Sequence, residues 1–131
     1  MEIWYFLALF LLIDALILIY VLFGKRRFLS DRDRVEYVEH WNSIRQSPDH
    51  RHAVMEADKL LDILLGKKGY KGPLGEKMKK GGKLFSDING VWSAHKLRNR
   101  IAHELNHKLS AGDAAAAMRQ FERAFKDLGL L

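Results

Sequence analysis

The segment HKLRNRIAHELNH, residues 95–107, contains two overlapping sets of residues whose types and spacing could carry out chemistry. In the first set, Arg98 is followed by a polar residue and, five positions after the arginine, by His103, an arrangement that could cleave RNA without a metal or other cofactor. In the second set, His103, Glu104 and His107 form the H-E-x-x-H pattern of zinc proteases. Because His103 belongs to both sets, the rest of the chain has to distinguish between them.

The zinc-protease interpretation uses His103 and His107 as metal ligands and Glu104 as the general base. Asp113 or Glu122 could supply a third ligand. Proteases of this kind hold their peptide substrate along an exposed strand, but no segment of this chain alternates apolar and polar residues as a strand does. The zinc site is therefore the weaker alternative.

The N-terminal segment is long and apolar enough to cross a membrane. Every residue of 3–23 except Asp14 is apolar or aromatic, and a helix of this length covers about 30 Å at roughly 1.5 Å per residue. Three basic residues follow at 25–27. Since Lys and Arg stay on the cytoplasmic side, we expect an uncleaved, single-pass anchor in the inner membrane, with its N-terminus outside and the C-terminal domain in the cytoplasm.

Asp14 lies near the middle of this apolar segment. Its insertion would cost about 2.5 to 3.5 kcal/mol, which the surrounding apolar residues can outweigh. Two interpretations stay open: a polar contact between the anchors of an oligomer, or an acid that the membrane span tolerates.

The rest of the chain shows the apolar periodicity of four helices, each preceded by residues that favour a helix start. The residues that favour a start are Ser30 or Asp31, Ser47 with Pro48, Ser86 with Asp87, and Ser110 with Asp113. The apolar positions are Val35, Val38, Trp41 and Ile44; Ala53, Val54, Ala57, Leu60, Leu61, Leu64 and Leu65; Ile88, Val91, Trp92, Ala94, Ile101, Ala102, Leu105 and Leu109; and Met118, Phe121, Phe125 and Leu128. We predict an all-α protein in which a single transmembrane helix precedes a four- or five-helix bundle, with an anchor at 1–24, a basic linker at 25–32 and the bundle at 33–131.

Residues 66–86, which we call the lysine segment, differ in composition from their surroundings. The segment contains six glycines and one proline, and it has the character of a loop-rich insertion in which a short helix could open at Pro73. Its seven lysines are Lys67, Lys68, Lys71, Lys77, Lys79, Lys80 and Lys83. Such a patch would bind RNA or anionic lipid head groups, although a solvated loop that binds nothing has the same composition.

Arg98 falls within the apolar stripe of the third helix of the bundle. A buried arginine has to be paired or to face a polar cleft. The pairing partner could be Asp58, which borders the apolar face of the preceding helix. A cleft between subunits would instead predict a homodimer with the two third helices in contact. His95 and His107, at the edges of the helix, are interpreted as ordinary boundary residues.

The stretch LRNRIAHE resembles the motif of the HEPN superfamily, which consists of an arginine, a polar residue and, a few positions later, a histidine. The similarity covers about residues 33–129, and the motif itself is matched by Arg98, Asn99 and His103. The resemblance implies a helical bundle that dimerises through its motif helices, and many members are metal-independent endoribonucleases. It also implies that His103 is a general acid and base, that Arg98 stabilises the charged phosphate and that Asn99 orients one of them.

Three functions are compatible with the sequence. The first is a HEPN-like endoribonuclease or RNA-binding domain held at the inner face of the membrane. The second is a non-catalytic helical module that dimerises and clusters its anchor or recruits a partner. The third, which is weaker because the chain offers no strand, is the zinc protease.

Overall fold

The computed structural model describes residues 2–24 and 28–131. The basic residues at 25–27, on which the predicted topology depends, lie outside the described residues. The chain divides into two compact units between Ser30 and Asp31. Every regular element in the described ranges is helical, so the predicted all-α class is confirmed.

The first unit contains one long helix, α1, and the second contains five α-helices and one 3₁₀ turn. The bounds are α1 Glu2–Gly24, α2 Asp31–Gln46, α3 His50–Lys67, α4 Leu74–Lys80, the 3₁₀ turn Gly82–Leu84, α5 Ile88–His103 and α6 Ala111–Asp127. The second unit is therefore a bundle of five α-helices, and the sequence had predicted four or five.

Helix α1 has the length and composition of a membrane span over Ile3–Leu22, a stretch of 20 residues. Its described side chains are exposed along the whole stretch. A helix of this length in which every residue except Asp14 is apolar or aromatic is typical of a membrane span. One possible span near the N-terminus therefore agrees with the sequence.

Helix α3 is the central element of the bundle, because α2, α4, α5 and α6 all pack against it. Its leucines at 60, 61, 64 and 65 are completely buried, as the broad apolar face predicted. The aromatic part of the core joins α2 to α6: the rings of Trp41 and Phe125 meet edge to face with centroids 4.9 Å apart, and Phe121 stacks beside Phe125. This geometry adds to the stabilisation that comes from burying the rings.

Helix α5 is shorter than the periodicity predicted. It ends at His103, and the next residue, Glu104, has extended backbone angles of φ −99° and ψ 112°. Leu105 lies beyond the helix end and is exposed, and Ala102 is exposed within the last turn, so the predicted burial of both residues is wrong. The buried positions of α5 are Val91, Ala94, Leu97 and Ile101. Leu97 was missing from the predicted stripe, and its burial moves the centre of the buried face away from Arg98.

Two smaller expectations are also corrected. Helix α3 is capped by the Asp49 side chain, which accepts hydrogen bonds from the backbone N–H groups of Arg51 and His52, and not by Ser47. On α2, Val35 is exposed although its spacing predicted burial, whereas Trp41 and Ile44 are buried.

The lysine segment is more ordered than its composition suggested. Helix α4 begins one residue after Pro73 and buries Leu74 and Met78 as it packs against α3. The ammonium group of Lys77 donates hydrogen bonds to the backbone oxygen of Asp62 and, at 2.8 Å, to its carboxylate. The turn between α3 and α4 contains two glycines, at 69 and 72, with φ of 98°, which other residues rarely adopt. A buried apolar pair and one part-buried cation thus attach this segment to the bundle.

Candidate functional site

A buried carboxylate on α3 lies at the centre of the candidate site. Asp58 is the one charged residue, within the part of the chain that the structure describes, whose side chain is almost completely buried. Its Oδ1 lies 2.8 Å from Nδ1 of His95, and its Oδ2 lies 3.4 Å from Nε of Arg98. A buried carboxylate without such partners would be strongly destabilising. Arg98 is therefore paired with Asp58, as one of the two sequence interpretations proposed.

Asn99 closes these contacts into a ring. The Nη1 group of Arg98 donates a hydrogen bond to Oδ1 of Asn99 at 3.1 Å, and Nδ2 of Asn99 lies 3.3 Å from Nε2 of His95. The four side chains therefore form one cycle that runs from Asp58 through His95, Asn99 and Arg98 back to Asp58. Three of its members lie on α5 at spacings of three and four residues, which place them on one side of the helix.

This ring borders a surface cleft between α3, α5 and the start of α4. The cleft has a volume of about 460 Å³. Besides the ring, its walls carry the charged side chains of Glu56, Lys59 and Asp62 and the apolar side chain of Leu74. The side chain of Arg98 is 32% exposed, compared with 6% for Asp58. Arg98 is therefore the charged member of the ring that a ligand in the cleft could contact.

His103 lies one helical turn beyond Asn99, as the last residue of α5. Its side chain is exposed and makes no hydrogen bond or ion pair with another described residue. Because His95, Asn99 and His103 are spaced by four residues, they follow the same side of the helix. The structure thus places two of the three motif residues in the ring and the third, unpaired, at the adjacent helix end.

Arg51 holds the turn that follows His103. Its two terminal nitrogens donate hydrogen bonds to the backbone oxygens of Ile101, at 3.1 Å, and His107, at 2.8 Å. A cation at a helix C-terminus satisfies carbonyl groups that have no partner within the helix and interacts favourably with the helix dipole. Arg51 therefore fixes the position at which α5 ends.

The H-E-x-x-H residues do not adopt the helical geometry on which a zinc site of this type depends. Since α5 ends at His103, the two histidines do not follow one another on a helix face. Instead, Nδ1 of His107 lies 3.2 Å from the Glu104 carboxylate, and Glu122 pairs with Arg45 and Lys126. Asp113 lies in the first turn of α6, behind the Ser110 cap. Within residues 2–24 and 28–131, no three His, Asp or Glu side chains are grouped to hold a metal ion.

The seven lysines of the lysine segment fall into two groups. Lys77 is paired with Asp62, and Lys67 is paired with Asp33 of α2 at 3.2 Å, a contact that raises the pKa of Lys67. Burial lowers the pKa of Lys68. The other four are exposed, and of these Lys79 approaches Glu76 at 3.9 Å. These four are Lys71, Lys79, Lys80 and Lys83, and we call them the exposed lysines, although Lys67 is also exposed beside its partner Asp33.

If the exposed lysines contact a polyanion, replacing all four with glutamine should weaken binding of a single-stranded RNA and lower its salt dependence. Each phosphate contact contributes about 0.7 to the slope of log K against log salt, so the slope should fall by up to about 3. The slope is measured by fluorescence anisotropy of a labelled RNA with the full chain in detergent. The matched control replaces four exposed cations on other helices, at 32, 119, 123 and 126. An unchanged slope would make the lysine segment a solvated surface.

Sequence reasoning missed two residues of this region. His95 was interpreted as a boundary residue, yet it joins Asp58 to Asn99; its spacing of three and four residues from Arg98 and Asn99 was a signal for a shared face. Arg51 is 50 residues or more from the groups that it contacts, and nothing in the local sequence indicated this role.

Comparison of the chain with family models, with curated proteins and with solved structures gives no match. The functional interpretation therefore depends on the arrangement of these side chains and on the motif.

Proposed function

We propose that this protein is a membrane-anchored, HEPN-like domain that binds RNA and cleaves it without a metal. The observation that carries the proposal is the juxtaposition, along one helix, of a partly exposed arginine fixed by Asp58 and Asn99 and an unpaired, exposed histidine. Arg98 would supply the cation, and His103 would supply the proton transfer, that cleavage of a phosphodiester requires.

The chemical roles follow from the hydrogen-bonding capacity of each group. Arg98 donates a hydrogen bond through Nη1 to Asn99, and its buried Nε faces the Asp58 carboxylate at 3.4 Å without a hydrogen bond. Its Nη2 likewise donates no hydrogen bond within the described part of the chain. That nitrogen is available for a phosphate oxygen in the cleft. The imidazole of His103 would remove a proton from the ribose 2′-hydroxyl or deliver one to the leaving oxygen, because histidine exchanges protons near neutral pH.

Incubation of the full chain, in detergent or lipid nanodiscs, with a labelled single-stranded RNA tests this proposal. Cleavage should continue in excess chelator and leave cyclic-phosphate ends, because the 2′-hydroxyl is the nucleophile. Peptide hydrolysis that chelator stops would instead favour the zinc protease. The absence of both RNA cleavage and RNA binding would overturn the proposal.

The proposed site has to face the cytoplasm to meet RNA. The basic residues at 25–27 predict this orientation in the inner membrane, with the N-terminus outside. Reporters fused after Leu131, one active only in the cytoplasm and one active only outside it, should give activity for the cytoplasmic reporter alone. Activity of the external reporter alone would contradict the topology, and the RNA proposal with it.

A second function is favoured by the pairing of Arg98 within its own chain. Asp58 and Asn99 account for two of its nitrogens, as in a structural ion pair, so the charge of Arg98 no longer requires a cleft between subunits. The protein would then be a non-catalytic helical module, and its homodimerisation would have to come from other surfaces. A full chain that sediments as a dimer and neither cleaves nor binds RNA would identify this function.

A further inference from the structure

The two hydrogen bonds of Asn99 within the ring permit only one arrangement of donors and acceptors. An arginine side chain has donors and no acceptor, so the Asn99 atom that faces Nη1 of Arg98 has to be the amide oxygen. The amide NH₂ group of Asn99 then faces Nε2 of His95. Since that group can only donate here, Nε2 of His95 has to accept, and the single proton of the imidazole lies on Nδ1.

The position of this proton agrees with the contact on the other side of the imidazole ring. Nδ1 of His95 lies 2.8 Å from Oδ1 of Asp58, so the N–H group on Nδ1 donates to a carboxylate oxygen. The other oxygen of Asp58 faces Nε of Arg98. Every polar contact of the ring is therefore consistent with a neutral His95 that carries its proton on Nδ1.

We propose that His95 is a positioning residue. Asp58 holds the imidazole proton on Nδ1, so Nε2 is an acceptor for the amide NH₂ group of Asn99. This contact fixes the orientation of the Asn99 amide, whose oxygen then accepts the hydrogen bond from Arg98. A second proton on Nε2 changes the imidazole from an acceptor into a donor toward Asn99. The amide has to turn its oxygen toward His95, which leaves its NH₂ group facing another donor, Nη1 of Arg98. Protonation of His95 thus breaks the Arg98–Asn99 hydrogen bond.

This inference deepens the proposed function, on which its consequence for RNA cleavage rests. In that function Asn99 orients Arg98, and the orientation of Asn99 is in turn set by a residue that lies outside the motif. When His95 is neutral, both Asp58 and Asn99 orient the Arg98 side chain. When His95 is doubly protonated, Asp58 alone orients it. The hydrogen bond between Arg98 and Asn99 therefore depends on pH.

Several charged groups surround His95 in the cleft. Asp58 and Arg98 are its neighbours in the ring, and Glu56, Lys59 and Asp62 of α3 line the same cleft. The start of α4 contributes the uncharged residues 73–75, while Lys77 of α4 forms an ion pair with Asp62. On α5 itself, the Trp92 ring meets the imidazole edge to face, with centroids 5.9 Å apart.

Nitrogen NMR of the unmodified full chain in detergent micelles tests the proposal directly, with ¹⁵N-labelled histidine and asparagine. At neutral pH, His95 should show the tautomer with its proton on Nδ1. As the pH falls, the side-chain amide signals of Asn99 should shift with the same midpoint as the His95 nitrogens. The tautomer with its proton on Nε2, or a His95 titration that leaves the Asn99 amide unchanged, would overturn the proposal.

Two variants separate positioning from simple packing. His95→Gln keeps one donor and one acceptor but cannot take up a proton, so the Asn99 amide signals should lose their pH-dependent shift in this variant. His95→Phe keeps a ring of similar size but removes both polar contacts, so the Asn99 amide signals should differ from those of the unmodified chain at every pH. A shift that persists with the same midpoint in His95→Gln would assign the titration to another group and contradict the role of His95.

RNA cleavage supplies a separate comparison. His95→Gln should keep most of the cleavage rate at neutral pH and lose the fall in rate that accompanies His95 protonation, and His95→Phe should lower kcat more than it raises KM. If the protein does not cleave RNA at all, the proposed function fails. The tautomer and the Asn99 titration still decide whether His95 positions the ring, since neither measurement requires activity.

Discussion

Replacing His103 with alanine is expected to lower the rate of RNA cleavage by about 100-fold or more, because a positioned acid–base group contributes roughly that much to a proton transfer. The same change should leave the Tm unaltered. His103 is exposed, lies at the end of α5 and has no hydrogen bond or ion pair among the described residues whose loss would destabilise the bundle. The two measurements are the initial cleavage rate in excess chelator and the thermal unfolding of the full chain in detergent.

His52→Ala is the matched control, since His52 is also exposed but lies in the first turn of α3, outside the ring. Its cleavage rate and Tm should both stay near those of the unmodified chain. Glu104→Gln should likewise have little effect on cleavage, although it would eliminate the activity of a zinc protease. Normal cleavage by His103→Ala would remove this histidine from the chemistry, and a rate that falls together with the Tm would indicate a structural effect.

Replacing Asp58 with alanine is expected to destabilise the bundle more than any other single change within the ring. The variant leaves the Nδ1–H group of His95, a side chain that is only 13% exposed, without its acceptor, and it removes the carboxylate that faces the buried Nε of Arg98 at 3.4 Å. A buried donor without a partner costs about 1 to 3 kcal/mol. Loss of the ion pair with Arg98 adds only part of its value, because the Arg98 side chain is 32% exposed although its Nε is buried. We expect a total loss of about 2 to 3 kcal/mol, which lowers the Tm by about 10 °C or more for a domain of this size.

Denaturant unfolding followed by tryptophan fluorescence measures this loss, because Trp41 is buried against Phe125 in the core. Asp113→Ala is the control: its carboxylate is exposed and makes no hydrogen bond or ion pair with the rest of the described chain, so the free energy of unfolding should stay near that of the unmodified protein. A double-mutant cycle adds His95→Phe to Asp58→Ala. The cost of Asp58→Ala should shrink in that background, because the His95 donor that it leaves unpaired is already gone.

An Asp58→Ala variant as stable as the control would mean that the ring contributes nothing to folding. The ring would then contribute to orientation alone. The ion pair between Arg98 and Asp58 would then no longer favour the non-catalytic module. In that module the role of the ion pair is to stabilise the fold, and an unchanged stability would exclude this role. The His103 prediction therefore tests the nuclease, and the Asp58 prediction tests the structural ion pair that favours the non-catalytic module.

The sequence alone determined the local structure of the chain. Apolar residues at helical spacing, together with caps such as Ser110, predicted each of the four helices of 16 residues or more that the bundle contains. The long apolar stretch near the N-terminus predicted α1 in the same way. These features depend on neighbours within a few positions along the chain, which is the distance over which a helix repeats.

The tertiary structure decided where α5 ends and which side chains meet. The periodicity continued through Leu109, but the helix stops at His103, where Arg51, from a helix more than 50 positions earlier, contacts carbonyl groups on both sides of the turn. Similarly, the sequence suggested Asp58 as a partner for Arg98, and its spacing placed His95 on the face of Arg98 and Asn99, but neither showed that His95 contacts Asp58. Their distance depends on how closely α3 and α5 pack, and a pattern within one helix contains no information about the spacing between two helices.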